Sequence, residues 1–164
     1  MVYIDGAFDV FHIGHIQALK EAKSLGDFVI VGLHDDQTIY KSKGEYPVLT
    51  LHERVLPVLA CRHVDEVVIG APYRVSKDLI KTLNISLVVE GIKHNPDDSG
   101  PDTYAVPKEL GIFKKMESDY EHAYHDVLIK RIVANKEYLL KRVEKGKKKE
   151  EKYYGDHKEY VVEG

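Results

Sequence analysis

Val2-Tyr-Ile-Asp-Gly-Ala-Phe-Asp-Val-Phe-His-Ile-Gly-His15 is the stretch on which the fold turns. It begins as a short apolar strand, Val2 to Ile4, passes through Asp5-Gly6, and spaces His12 and His15 around Gly14. The amphipathic run Ile16-Gln-Ala-Leu-Lys-Glu-Ala-Lys23 follows directly. Strand, glycine turn and helix N-terminus make the geometry in which backbone N–H groups converge on an anion. Histidines at i and i+3 on a first helical turn can place both imidazoles on one face, beside that anion. The stretch therefore reads as a phosphate-handling site at the top of an α/β sheet.

Outward from it, strands and helices alternate. Leu25-Gly26-Asp27 stops the first helix, and Phe28-Val-Ile-Val-Gly-Leu33 is an unbroken apolar run, the mark of a strand buried on both faces of a parallel sheet. His34-Asp35-Asp36 then falls at the carboxyl end of a strand, where open α/β sheets place ligand-binding groups. Tyr40 to Pro47 is polar, carries Gly44 and Pro47, and is expected to be an exposed, mobile loop. Thr50-Leu-His-Glu53 predicts a capping box opening a helix to about Cys61. Glu66 to Gly70 is expected as a third buried strand, Ser76 as the cap of a short helix through Lys81, and Ile85 to Val89 as a fourth strand. His94 to Thr103 has loop composition; Val106 to Leu110 is expected as a helix ending at Gly111, and Ile112-Phe113 as the start of a last strand. His125 to Leu140 predicts a helix with Val127, Leu128, Ile132 and Leu139 on its apolar face. The alternation implies βαβ units and a Rossmann-like, doubly wound parallel sheet flanked by helices.

Composition bounds the function. The 164 residues are 43% hydrophobic and 31% charged, ordinary for one soluble domain with its own core. A net charge of −3 gives no electrostatic argument for nucleic acid. The single cysteine, Cys61, excludes an internal disulfide, suits a reducing compartment and is expected to be buried and inert. No apolar run reaches the roughly 20 residues that span a bilayer, and no secretory signal opens the chain. A cytoplasmic location is the expectation, and the abrupt start is that of a piece of a longer chain. The lysine- and glutamate-rich tail from Lys141 lacks an apolar face, so a solvated helix or disorder is expected and stable membrane insertion is not.

Gly6-Ala-Phe-Asp9 followed by His12-Ile-Gly-His15 resembles the HxGH signature of the cytidylyltransferases, within the nucleotidyltransferase superfamily. Asp36 with Lys43-Gly44, Leu51-His-Glu-Arg54, Ala60-Cys-Arg-His-Val-Asp-Glu-Val67, Gly70-Ala-Pro-Tyr73 and Pro107 to Phe113 narrow the resemblance to ethanolamine-phosphate cytidylyltransferases. They are most like the second of the two cytidylyltransferase domains in those enzymes, and the likeness covers roughly residues 2 to 135. It implies the HxGH nucleotidyltransferase fold and attack of a phosphoethanolamine oxygen on the α-phosphorus of CTP. The products would be CDP-ethanolamine and pyrophosphate, with Mg²⁺ assisting, in phosphatidylethanolamine synthesis. Such chemistry needs positioning and charge neutralisation.

The resemblance further implies that His12 and His15 donate hydrogen bonds to phosphate oxygens, and that Lys43 closes on the α-phosphate. Gly6, Ala7, Phe8, Asp9, Gly14, Gln17 and Ala18, with Glu90, Gly91, Ile92 and Lys93, would line the nucleotide. At Gly6 and Gly14 a Cβ is expected to stand between amide and phosphate. Asp5, Tyr73 and Tyr104 match the acid and aromatic positions that hold the acceptor's ammonium in the related choline enzymes. For the two tyrosines, packing over the sheet edge is the competing reading. A metal pair is the competing reading for His12 and His15, but no third ligand is suggested nearby. Residues 1–140 are then expected to form the cytidylyltransferase domain and 141–164 a charged tail, with a second such domain in the parent chain.

Two departures stand out. The family's RTxGxS(T/S) signature is replaced by Met116-Glu-Ser-Asp-Tyr-Glu-His-Ala-Tyr-His-Asp126, whose Glu117, Asp119 and Glu121 are the wrong sign for a triphosphate. One such charge about 4 Å away opposes binding by roughly 4 kcal/mol at an effective dielectric near 20. Glu90 stands where relatives usually place a histidine. A rival expectation is thus a nucleotide-binding or structural module that supports a catalytic partner domain. Adenylyl transfer from ATP is a third, on the same fold.

Overall fold

Strand β1 (Val2–Gly6) lies at the centre of a five-stranded sheet whose order is β3-β2-β1-β4-β5, built with β2 (Val29–Leu33), β3 (Glu66–Ile69), β4 (Leu87–Glu90) and β5 (Phe113–Lys115). The computed structural model describes residues 1–91, 102–116 and 121–156. Every strand pairing is parallel, with Ile4 opposite Val31 on one side and Val89 on the other. The doubly wound α/β expectation is met.

The reason lies in the side-chain alternation of the two central strands. Val2 and Ile4 face one way and pack with Leu19 and Ala22 of α1 (Ile13–Ser24) and Val55 and Val58 of α3 (Leu51–Leu59). Tyr3 faces the other way, with Ile30, Val88, Ile80 of α4 (Lys77–Thr82) and Tyr104 before α5 (Ala105–Glu109). Alternate residues of a strand point to opposite faces, so both faces of β1 and β2 are filled and neither strand is amphipathic. The strand order reverses between β1 and β4, and in such sheets ligands bind at the carboxyl ends beside that reversal. Gly6 and Gly91 fall there.

Three expectations change. Tyr40–Lys43 is helix, the last turn of α2 (Asp36–Lys43), and not loop. Asp35 caps it by accepting the Thr38 N–H at 2.6 Å, buried Ile39 anchors it, and Gly44 closes it in the left-handed region at φ 78. β3 is an edge strand with Glu66 and Ile69 exposed, so only its middle is sheltered. Beyond β5, α6 (Glu121–Ala134) and α7 (Lys136–Asp156) carry the helix on to Asp156, with Val127 and Ile132 exposed. Residues 141–156 of the tail are helical, and those whose burial is described are exposed. Most of the loop predicted from His94 to Thr103, and residues 117–120 of the acidic stretch, lie outside the described residues. The chain divides into two compact units, Met1–His125 and Asp126–Gly164.

Candidate active site

The histidine pair is fixed by its own helix end. His12 is the N-cap of α1, extended at φ −141, and its Nδ1 accepts the Gly14 N–H at 3.0 Å. His15, at the third helical position, accepts the His12 N–H on its own Nδ1 at 3.2 Å. This is a capping box made by two imidazoles in place of Ser/Thr and Glu. Because each Nδ1 accepts a backbone N–H, the proton of each neutral ring sits on Nε2. Both rings are therefore held as Nε2–H donors, the form that serves phosphate oxygens. Their centroids lie 4.1 Å apart, and His15 also packs between Phe8 (5.4 Å) and Phe11 (5.5 Å, nearly parallel).

The turn from β1 into α1 is strained. Phe8 and Val10 have φ of 50 and 45, and a β-branched residue rarely enters that region. Strain of this kind persists only where neighbours over-determine the backbone, and functional sites collect it. Here Asp9 holds the turn: its carboxylate accepts the Val10 N–H (3.0 Å) and those of Val48 (2.7 Å) and Leu49 (3.0 Å) across the fold. Its side chain thus ties the histidine turn to the segment after Lys43.

Arg54 does the same from inside. It is fully buried, and its guanidinium donates to Leu49 O (3.1 Å), Ala7 O (2.6 Å), His34 O (2.8 Å) and Asp36 Oδ1 (2.6 Å). One side chain therefore positions the β1–α1 turn, the end of β2, the start of α2 and the approach to α3. Its charge is paired with Asp36, as a buried cation requires.

A second cluster occupies the Tyr3 face of the sheet. Asp5 is buried at the carboxyl end of β1, and its Oδ1 accepts the Tyr104 hydroxyl at 2.6 Å. Among the described residues, Asp5 Oδ2 and the Tyr3 hydroxyl are both buried without a hydrogen bond of good geometry, although the two groups act on each other. Burial pushes the Asp5 carboxyl above the ordinary carboxylate range, while His34 and the Tyr104 hydroxyl pull back against this. Burial likewise pushes the Tyr3 and Tyr104 hydroxyls far upward, with the Asp5 charge adding to it. Tyr73, half-buried, sets its ring 5.5 Å from that of His34.

The remaining expected residues are spread along these elements. Gly6 closes β1, and its carbonyl accepts the His34 N–H at 3.2 Å. A Cβ on Gly6 would meet the Phe8 ring at 3.3 Å, so the ring folded over the turn is what that position accommodates. The Gly14 amide is spent on His12, which gives it a different use from the expected phosphate contact. Gln17 is half-buried on α1, and Ala18 packs into the core beneath it. Lys43 is exposed at the end of α2, on a helix and not in a loop, and nothing among the described residues joins it to the histidines. Glu90 is buried at the end of β4, its carbonyl accepting Met116 N–H at 3.1 Å, with Gly91 beside it. Ile92 and Lys93 lie outside the described residues. The structure brings Asp5 and Tyr104 into direct contact, and sets Tyr73 against His34. Sequence reasoning placed His34 at a ligand-binding strand end but gave it no role, and it missed Tyr3. A histidine closing a buried apolar strand was the available signal.

A family model described as cytidylyltransferase-like matches residues 3–137. The chain belongs to the cytidylyltransferase-like family. Among curated relatives, an ethanolamine-phosphate cytidylyltransferase from Arabidopsis thaliana is 48% identical over 98% of this chain. Another from Dictyostelium discoideum is 47% identical over 93% of it. The chain spans 39% and 42% of the length of these two relatives. Among solved structures, a lipopolysaccharide core biosynthesis protein from Thermoplasma volcanium superposes with a TM-score of 0.54 at 27% identity, over 73% of this chain and 97% of that one. Family membership agrees with the strand order and with the HxGH turn at the sheet's reversal.

Proposed function

We propose that this chain is a cytidylyltransferase domain that transfers CMP from CTP to phosphoethanolamine, releasing pyrophosphate and forming CDP-ethanolamine for phosphatidylethanolamine synthesis. The observation that carries this reading is the imidazole capping box, which holds His12 and His15 as paired Nε2–H donors beside the α1 N-terminus. Donors fixed before the reaction stabilise charge that grows on phosphate oxygens without reorganisation. Lys43 supplies a further cation from the end of α2. The nucleotide would lie over the turn Gly6 to Asp9, along Gly14, Gln17 and Ala18, and against Glu90 to Lys93. The buried Asp5 carboxylate, with the Tyr104 hydroxyl bonded to it and the Tyr73 ring against His34, suits the acceptor's ammonium group. The names of the similar relatives support the same acceptor.

The described residues gather no three His, Cys, Asp or Glu side chains that could cage a metal ion. Mg²⁺ on this reading travels on the triphosphate, which is its usual habit, and supplies charge neutralisation there. No helix among the described residues is long and apolar enough to cross a membrane, which agrees with a cytoplasmic site of action. The share of the relatives' length that is matched supports a second cytidylyltransferase domain in the parent protein.

Calorimetric titration of the full-length protein with CTP, followed by assay for CDP-ethanolamine, tests the reading. His12→Ala and Lys43→Ala are each expected to lower kcat by about a hundredfold or more. Near-normal turnover in both variants would overturn it. The wrong-signed Glu117, Asp119 and Glu121 favour a second reading, a non-catalytic module supporting a partner domain. CTP binding here together with turnover indifferent to both substitutions would select it; tighter binding of ATP than CTP would select adenylyl transfer.

A further inference from the structure

Three polar groups converge on the Tyr3 face of the sheet. Tyr3 and Asp5 are alternate residues of β1, and His34 follows Ile30 and Gly32 at alternate positions of β2. The His34 N–H still donates to Gly6 O, continuing the ladder in which Gly6 lies opposite Leu33, so the alternation extends to His34. Position 32 is a glycine for a steric reason: a Cβ there would come within 2.2 Å of the Tyr3 Oη and 2.9 Å of the Ala71 Cβ. The missing side chain leaves room for the Tyr3 hydroxyl to cross over β2.

His34 is anchored by one nitrogen. Its Nδ1 lies 3.0 Å from Ala71 O, and a carbonyl only accepts, so Nδ1 carries the proton. In the neutral ring Nε2 is then a lone-pair acceptor. The ring is buried, is braced by Tyr73, and acts electrostatically on Asp5. Asp5 Oδ2 and Tyr3 Oη are buried and act on each other, but among the described residues neither makes a hydrogen bond of good geometry. A buried acceptor without a donor is costly unless something supplies one.

We propose that His34 is a specificity-determining residue for the acceptor: its Nε2, with Asp5 Oδ2 and Tyr3 Oη, accepts the N–H bonds of a primary ammonium. This rests on the reading that Asp5 marks the acceptor's site. A primary ammonium has three N–H donors for these three acceptors. A trimethylammonium has none, and would leave all three unsatisfied while crowding them with methyl groups. A site built to hydrogen-bond a group rejects the analogue that lacks it far more strongly than a merely apolar pocket does.

The test is a series of phosphorylated acceptors bearing zero to three N-methyl groups, assayed with CTP on the full-length protein, its His34→Ala variant and its His34→Gln variant. In the unaltered protein kcat/KM falls with each methyl added. His34→Ala raises KM for phosphoethanolamine about tenfold, leaves KM for CTP in place, and flattens the series by a similar factor. His34→Gln, whose amide oxygen can stand near the lost Nε2, restores part of the discrimination. An unchanged series in His34→Ala overturns the proposal, and so does a uniform loss for every acceptor with a raised KM for CTP. If the unaltered protein accepts none of the series, the proposed function itself has failed, which is a different result from an active enzyme whose selectivity ignores His34.

Discussion

Asp5 sets the balance between stability and function at the residue scale. Its carboxyl titrates above the ordinary range because burial disfavours the charge, so the folded state holds this proton more tightly than the unfolded chain. Stability therefore falls as pH rises from the ordinary carboxylate value through the raised one, and stays lowered above it. Asp5→Asn removes that cost and keeps an acceptor oxygen for the Tyr104 hydroxyl. It is expected to raise the unfolding midpoint at pH 7 by a few degrees, with the difference vanishing near pH 4, while acceptor affinity is lost. Thermal unfolding across pH, with an acceptor titration, checks both halves; an Asn variant of lower Tm at pH 7 that still binds acceptor would refute the argument.

Arg54 is the opposite case, a buried charge fully met. A lysine there has one nitrogen and cannot reach Leu49 O, Ala7 O, His34 O and Asp36 Oδ1 together. Arg54→Lys is expected to destabilise by about 3 kcal/mol, read from urea unfolding, and to lower turnover by loosening the histidine turn. A loss under about 1 kcal/mol would mean that water replaces the missing donors.

At the scale of elements, β2 is shaped by what it must let past. Gly32→Ala would press on the Tyr3 ring, which the core holds in place, and is expected to destabilise by about 1–3 kcal/mol and to weaken acceptor binding more than CTP binding. Equal weakening of both would show that the strain spreads beyond the Tyr3 face. The elements also show what was legible. β1, β2 and β4 stood out because strands filled on both faces leave unbroken apolar runs, and the α3 capping box was legible because Thr50 and Glu53 lie three apart. α2 was not, since it buries only Ile39 and otherwise looks like a polar loop. The edge position of β3 was hidden because Val67 and Val68 look the same in an edge strand as in a central one.

For the whole molecule, the second unit, Asp126–Gly164, is mostly helical over its described residues, and these are mostly exposed. The boundary proposed from the sequence, with a working domain of 1–140, gives a direct prediction. Removing residues 141–164 is expected to shift the unfolding midpoint by no more than about 2 °C and to leave CTP affinity unchanged, measured by calorimetry. A large loss of either would make residues 141–164 part of the working domain.

The sequence by itself determined the fold class, the strand–glycine–helix turn and the place of the two histidines in it, because these are local: burial pattern, glycine placement and i, i+3 spacing are written in consecutive residues. Only the tertiary structure decided how the histidine tautomers are locked, what Arg54 and Asp9 hold together, and that Tyr3, Asp5, His34 and Tyr104 gather on one face of the sheet. Those relations join residues up to 99 positions apart through strand register and a glycine's missing side chain. Burial and hydrogen-bond satisfaction arise only when separate elements meet, so no run of consecutive residues could announce them.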